Sequence, residues 1–260
     1  RRKFGLPARP LIPSLYDKEV PKHRSEGINF EAVIGTAENQ VAVAPGALQK
    51  SWTKNSRRYF HYSTDAPIGS EWVFLSANYT AHEDQWRNPD SLEQKVSIRI
   101  LHQPGRNAHV ERMLQSIRAS LNYYTNEFGP YRHNHITVVE RPGNGTGLHA
   151  DASMLTHGEG FPLWKPWNSS GGLDFPFAVV AHEMAHQWTV PYANVEGAPV
   201  MSESIAWYYG MKMVEHTKGH DELTRLLSMM RQPNPYPPIR RGEPLIRGLD
   251  PYMSYRKGPF

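Results

Sequence analysis

The chain has no cysteine among its 260 residues. It therefore cannot form disulfide bonds, a thiolate zinc site or a cysteine nucleophile, although the compartment stays open because disulfide-free extracytoplasmic proteins are common. No apolar run approaches the length of a transmembrane helix, and no signal peptide is visible.

The chain also lacks a concentrated stripe of positive charge. Its formal net charge is only +4 at pH 7, and its basic residues form scattered clusters at Arg1–Lys3, Lys22–Arg24 and Arg240–Arg241. Such scattering is typical of solvated surface, whereas nucleic-acid binding proteins usually gather their cations on one face. We therefore expect no nucleic-acid partner, and contact with anionic lipid headgroups stays open as an alternative.

The most informative feature that is present is the run His182-Glu183-Met184-Ala185-His186, which has the pattern HExxH. Two histidines four positions apart project from one helix face and can hold two of the four positions around a zinc ion. Glu183 lies about 100° round the helix, within reach of a water on the metal, and this combination is machinery for hydrolysis. The alternative is a core helix with two satisfied histidines.

The surrounding residues favour a short buried helix. The approach from Phe175 to Ala181 is apolar and carries Pro176 near its start, as a buried helix would begin. We expect this helix to stop near Val190, because Pro191 follows.

A catalytic zinc site needs a third protein ligand, and Glu203 is the best candidate. It lies in a predicted second helix that begins around Pro199 and Ser202. Sixteen residues separate it from His186, which is enough to finish one helix and return another alongside. Alternatively, Glu203 only favours a helix N-terminus through the helix dipole.

Three stretches resemble motifs of the gluzincin aminopeptidases, the membrane alanyl aminopeptidase family. They are His182–Trp188, Ser202–Ala206 and Tyr255–Gly258. More closely, the chain from about residue 27 to the end is similar to the aminopeptidase-like domain of bacterial ABC-transporter permease proteins. The resemblance implies that His182, His186 and Glu203 bind one zinc ion and that Glu183 is the general base. It also implies that the phenol of Tyr255 hydrogen-bonds the oxyanion of the tetrahedral intermediate.

The chain departs from the family where the substrate's amino terminus would be bound. The family's Gly-x-Met-Glu-Asn strand is missing, and the corresponding region is Gly147–Met154. Asp151 or the later Glu159 would have to supply the substrate-binding carboxylate. The function predicted is thus a zinc metallopeptidase, aminopeptidase-like, acting on a peptide substrate. An endopeptidase and a catalytically weak zinc-containing binding module of an ABC transporter remain alternatives.

The predicted fold is α+β, with a β-rich domain followed by a thermolysin-like zinc metallopeptidase domain. Residues 1–26 are proline-rich and read as an extended arm, and short β-prone runs fill residues 27–103. After Pro104-Gly105, the catalytic domain over residues 104–260 begins with apolar residues at helical spacing from Val110 to Phe128.

The chain begins at Arg1 and stops at Phe260, just after the tyrosine motif. We expect it to be a piece of a larger, membrane-associated protein, truncated at its C-terminal end. By the same resemblance, we expect a soluble extracytoplasmic domain whose partner is a membrane permease.

Overall fold

The computed structural model of the chain describes Gly5 and residues 27–70, 72–143, 145, 147–166, 171–189, 197–198, 200–231, 245 and 253–260. Apart from Gly5, the predicted arm over residues 1–26 lies outside the described residues, so that prediction stays open. In the part of the chain that the structure describes, no helix combines the length and the hydropathy needed to cross a membrane.

The described residues form a mixed α and β fold, which confirms the predicted α+β class. The strands are β1 (Glu31–Ala37), β2 (Val41–Val43), β3 (Ala47–Lys54), β4 (Arg57–Ser63), β5 (Leu75–Ala77), β6 (Thr80–Asn88), β7 (Ser91–His102), β8 (His135–Arg141), β9 (Leu148–Asp151) and β10 (Met154–Gly158). The helices are α1 (Val110–Phe128), α2 (Phe175–Ala185), α3 (Ile205–Lys218) and α4 (His220–Met230). Two short π-helical turns are named here π-turn A (Val200–Ser204) and π-turn B (Met253–Lys257).

The strands form three sheets with the orders β1-β4-β3, β2-β5 and β6-β7-β8-β10-β9. In the five-stranded sheet β7, β8 and β10 are parallel, whereas β6 and β9 pair antiparallel at the two edges. β8 is buried along nearly its whole length, as expected of a central parallel strand covered on both faces. The edge strand β9 is only partly buried, and within the described part of the chain one of its sides has no neighbouring strand.

The predicted helix from Val110 to Phe128 is confirmed with the same bounds as α1. Met113, Ile117 and Leu121 recur every four residues and are completely buried, so one stripe of the helix packs into the main core. α2 lies against this stripe and is buried from Pro176 to Ala185.

The five-stranded sheet crosses the predicted domain boundary at Pro104. β6 and β7 precede this residue, yet β7 pairs in parallel with β8, with Ile98 opposite Ile136. The run of β-prone segments before Pro104 predicts one β-rich domain. This prediction does not account for the sheet that β6 and β7 join, because local sequence does not show which sheet a strand will join. The division of the chain into domains therefore stays a prediction, but a cut at residue 103 would separate two hydrogen-bonded strands.

A buried charge cluster holds the end of β8 and the end of β10 together. Glu140 on β8 is fully buried, and its carboxylate accepts hydrogen bonds from the guanidinium of Arg106 (2.6 Å) and the backbone N–H of Gln103 (2.7 Å). Arg106 also donates to the carboxylate of Glu159 (2.9 Å). The side chain of Arg106 therefore joins the loop before α1 to both parallel strands.

Replacing Arg106 by Met should lower the free energy of unfolding by roughly 3–5 kcal/mol, because Glu140 would keep a buried charge without its cationic partner. Urea denaturation followed by circular dichroism would measure this loss. The matched control is Lys212→Met, which breaks the exposed pair between Lys212 and Glu215 (3.0 Å) and should have a far smaller effect. Equal stability losses in the two variants would contradict the role given to Arg106.

Candidate metal centre and its cleft

Helix α2 carries the HExxH residues, and its N-terminus is defined by local sequence. Asp174 caps the helix, its carboxylate accepting from the backbone N–H of Phe177 (3.4 Å), and Pro176 lies in the first turn. The helix ends at Ala185, earlier than the predicted stop near Val190. The next residues serve tertiary contacts instead: Gln187 donates from its amide to the carbonyl of Asp151 (2.9 Å).

Neighbouring helices hold α2 at fixed points along its length. From α1, the hydroxyls of Ser116 and Tyr124 donate to the carbonyls of Phe177 (2.8 Å) and Ala181 (3.0 Å). From α3, Gly210 lies against His182 so closely that a Cβ atom there would stand 3.2 Å from the Cα of His182. A glycine at this position therefore allows the two helices to approach where the first histidine leaves the backbone.

The structure brings the three predicted metal ligands together. One ligand atom from each of His182, His186 and Glu203 lies within 4.8 Å of the other two. The Oε2 atom of Glu203 is 3.3 Å from the Nε2 atom of His182 and 3.3 Å from that of His186. Glu203 reaches this position from π-turn A, directly before α3, and not from a regular α-helix as predicted.

These distances fit a tetrahedral metal ion. Ligand atoms at zinc's usual bond lengths of about 2.0–2.2 Å stand roughly 3.3–3.6 Å apart in a tetrahedron. The 3.3 Å separations match that edge and are longer than the usual hydrogen bond between a charged donor and acceptor. Two imidazoles and one carboxylate are also a donor set of catalytic zinc sites. The residues present therefore fit one zinc ion.

The protonation of the cluster is compatible with metal binding. Burial lowers the pKa of His182 to about 4, so its imidazole is neutral at neutral pH. Burial works against the ionised form of Glu203, but the neighbouring imidazoles of His182 and His186 outweigh it and lower the pKa of the carboxyl well below its usual range. A neutral imidazole and an ionised carboxylate are the forms in which these side chains bind metal.

Glu183 is the second carboxylate of the site and differs from Glu203 in its surroundings. Its side chain is almost completely buried, and its Oε1 atom lies 4.0 Å from Nε2 of His182. Burial raises the pKa of Glu183 to about 7; the charge of His186 opposes this rise, and that of Glu203 adds to it. The pKa values of the Glu183 and Glu203 carboxyl groups therefore differ widely, as expected of groups with different roles.

Tyr255 lies in π-turn B and lines the same cleft as Glu183 and Glu203. Its ring centroid lies 6.4 Å from that of His182, and the side chain is partly exposed to the cleft. Burial raises the pKa of the Tyr255 phenol, and the nearby negative charge of Glu203 raises it further. The hydroxyl therefore keeps its proton and can act as a hydrogen-bond donor.

An open cleft of about 490 Å³ runs past these side chains. Glu183, His186, Glu203 and Tyr255 line one part of it, and the edge strand β9 lines another. The cleft is also lined by His149 on β9, a titratable residue that the sequence did not single out and whose imidazole is half exposed. One feature of the sequence could have identified His149 as a cleft residue. It lies two positions after Gly147, in the stretch that corresponds to the substrate-binding strand of the gluzincin aminopeptidases.

The two carboxylates predicted to bind substrate do not line this cleft. Asp151 is mostly buried, and its carboxylate accepts from Nε2 of His149 (3.1 Å). Glu159 lies beyond β10, where Arg106 and the backbone N–H of Gly143 (2.9 Å) donate to it.

No protein-family model matches the chain, and no curated protein matches it. Solved structures do match. The M1 zinc metallopeptidase from Deinococcus radiodurans is 16% identical, with a TM-score of 0.64, over 91% of this chain and 52% of that protein. A point mutant of that enzyme gives a TM-score of 0.66 over the same shares at 16% identity, and its complex with a Tyr-Ser-Ala substrate gives 0.63 at 15%. The chain therefore has the fold of M1 zinc metallopeptidases and spans about half the length of those structures.

Proposed function

We propose that this chain is a zinc-dependent peptidase domain that hydrolyses peptide bonds. The observation that carries the proposal is the convergence of His182, His186 and Glu203, with both histidine nitrogens 3.3 Å from the Glu203 carboxylate and Glu183 beside them in an open cleft. The fold shared with M1 zinc metallopeptidases supports it. A short peptide is the proposed substrate class, since one of those structures is described as bound to a Tyr-Ser-Ala substrate.

His182, His186 and Glu203 would hold the zinc ion. When bound, zinc polarises the scissile carbonyl and lowers the pKa of water towards about 7. The protein's own contribution is to keep the three ligands in place through the contacts of α2 with α1 and α3 described above. The buried surroundings of the cluster also strengthen every charge interaction within it.

Glu183 is the proposed general base. Its carboxylate accepts a proton from the attacking water and then delivers that proton to the nitrogen of the leaving amine. Tyr255 is proposed to donate its hydroxyl proton in a hydrogen bond to the oxyanion of the tetrahedral intermediate. Both side chains line the same cleft and face the ligand cluster, as these roles require.

Aminopeptidase specificity is the finer part of the proposal, and it can be tested by the choice of substrate. The zinc-loaded chain should be incubated with a peptide library in two forms, with free and with acetylated amino termini. Cleavage of single residues from free amino termini only would establish an aminopeptidase, whereas equal cleavage of both forms would establish an endopeptidase. Bound zinc without any cleavage would instead favour the binding module. The permease partner and the extracytoplasmic location rest on the sequence resemblance alone.

Replacing His186 by Ala should abolish stoichiometric zinc binding, because only His182 and Glu203 would remain as ligands. Zinc content after dialysis would be measured by atomic absorption, and the stabilisation by added zinc would be measured by thermal unfolding. His220→Ala is the matched control, since His220 is an exposed histidine paired with Glu215 (3.1 Å). That variant should bind zinc normally. Full zinc content in the His186 variant would refute the ligand assignment.

Replacing Glu183 by Gln should leave the zinc content unchanged and lower kcat by about 10²–10⁴-fold, because the proton acceptor is lost while the side chain keeps its shape. Steady-state hydrolysis of a peptide that the unsubstituted chain cleaves would give the ratio. Zinc content measured on the same samples would separate the loss of the base from a loss of metal. Near-normal turnover in this variant would remove Glu183 from the mechanism.

A further inference from the structure

A buried hydrogen bond joins the two π-turns of the site. The hydroxyl of Ser204 in π-turn A donates to the backbone carbonyl of Ser254 in π-turn B at 2.7 Å. Both serines are almost completely buried, although they lie 50 positions apart in the sequence. A bond of this kind satisfies two buried polar groups and links the two backbones.

The positions of these serines give the bond its significance. Ser204 directly follows Glu203, and Ser254 directly precedes Tyr255. The hydrogen bond therefore connects the element that carries the third proposed ligand with the element that carries the proposed oxyanion donor. The side chain of Tyr255 is 39% exposed, so packing alone does not define where its hydroxyl stands.

A second anchor holds π-turn B on its other side. The guanidinium of Arg256 donates to the carbonyls of Met229 (2.9 Å) and Met230 (2.7 Å) at the end of α4. Carbonyls in the last turn of a helix are available to acceptor contacts of this kind, and a cation near a helix C-terminus is favourable. Arg256 thus attaches π-turn B to α4, whereas the Ser204 bond sets its distance from Glu203.

We infer that Ser204 is a positioning residue that places the hydroxyl of Tyr255 over the metal cluster. The inference rests on the proposed function and adds to it a residue that touches neither metal nor substrate. An oxyanion donor acts only when it stands within hydrogen-bond distance of the developing charge, and a misplacement of about 1 Å can cost a rate factor near 10². Ser204 acts on the rate through Tyr255 alone.

The kinetic test uses Ser204→Ala with Ser254→Ala as its matched control. The control removes a hydroxyl of equal size from the adjacent buried serine but keeps the backbone carbonyl that accepts the bond. Ser204→Ala should lower kcat about 10- to 100-fold with little change in KM, and the control should stay close to the unsubstituted chain.

Tyr255→Phe should lower kcat about 10²–10³-fold. Adding Ser204→Ala to Tyr255→Phe should cause no further loss, because the residue that Ser204 positions no longer acts. Zinc content should be equal in all variants.

A second measurement, the mobility of a spin label, does not depend on catalytic activity. Because the chain has no cysteine, Lys257→Cys provides a single thiol on the exposed side of π-turn B for a nitroxide spin label. Ser204→Ala should increase the mobility of the label in the electron paramagnetic resonance spectrum, and Ser254→Ala should leave it unchanged.

Three results would overturn the inference. They are equal label mobility in both serine variants, a full additional loss of kcat in the background of Tyr255→Phe, and loss of zinc from Ser204→Ala, which would place its effect on Glu203 instead. If the unsubstituted chain binds zinc but cleaves nothing, the proposed function fails, while the label still decides whether Ser204 fixes π-turn B.

Discussion

The site depends on one constraint, which is that helix α2 must bury polar side chains inside an apolar core. Its other residues pack against α1, α3 and the sheet, so His182 and Glu183 have little access to water. Buried polar groups are costly unless they find partners. Glu203 meets this need for both histidines from a separate element, and a divalent cation between the three would satisfy them further. The approach of α3 at Gly210 follows from the same requirement, because π-turn A leads directly into that helix.

The cleft opposite α2 is defined by a different kind of structure. β9 is an edge strand. Gln187, the residue after His186, connects it by hydrogen bonds to the element that carries the two histidines. The amide of Gln187 donates to the carbonyl of Asp151 and accepts from the backbone N–H of Ser153 (2.9 Å), at the turn between β9 and β10. The turn is thereby held to the end of α2. The amide of Gln187 is thus one of the contacts that set the position of β9, and with it this side of the cleft, relative to α2.

Sequence patterns predicted the parts of this fold that depend on neighbours in the chain. The helical spacing of Met113, Ile117 and Leu121 predicted α1 with its observed bounds, and the HExxH spacing placed both histidines on one helix face. Glu203 was identified because its distance from His186 allows a return to the site. The boundary at Pro104 could not be judged in this way, since the pairing of β7 with β8 joins residues far apart in the sequence. The place of His149 in the cleft also depends on pairing between distant strands. A strand residue lines this cleft only if its strand is at the edge of the sheet, and no local pattern shows which strand is the edge.

The difference between α2 and β9 also accounts for where the resemblance to the gluzincin aminopeptidases is strong and where it fails. A substitution on α2 would have to satisfy packing on every side, so the residues between His182 and His186 have few alternatives of suitable size. β9 has the opposite character, because Leu148, His149 and Ala150 line an open cleft and, among the described residues, its outer edge has no partner strand. In this stretch His149 and Asp151 form a side-chain pair at 3.1 Å. The proposed ligand cluster therefore depends on the packing of the core, whereas the lining of the cleft depends in part on an edge strand.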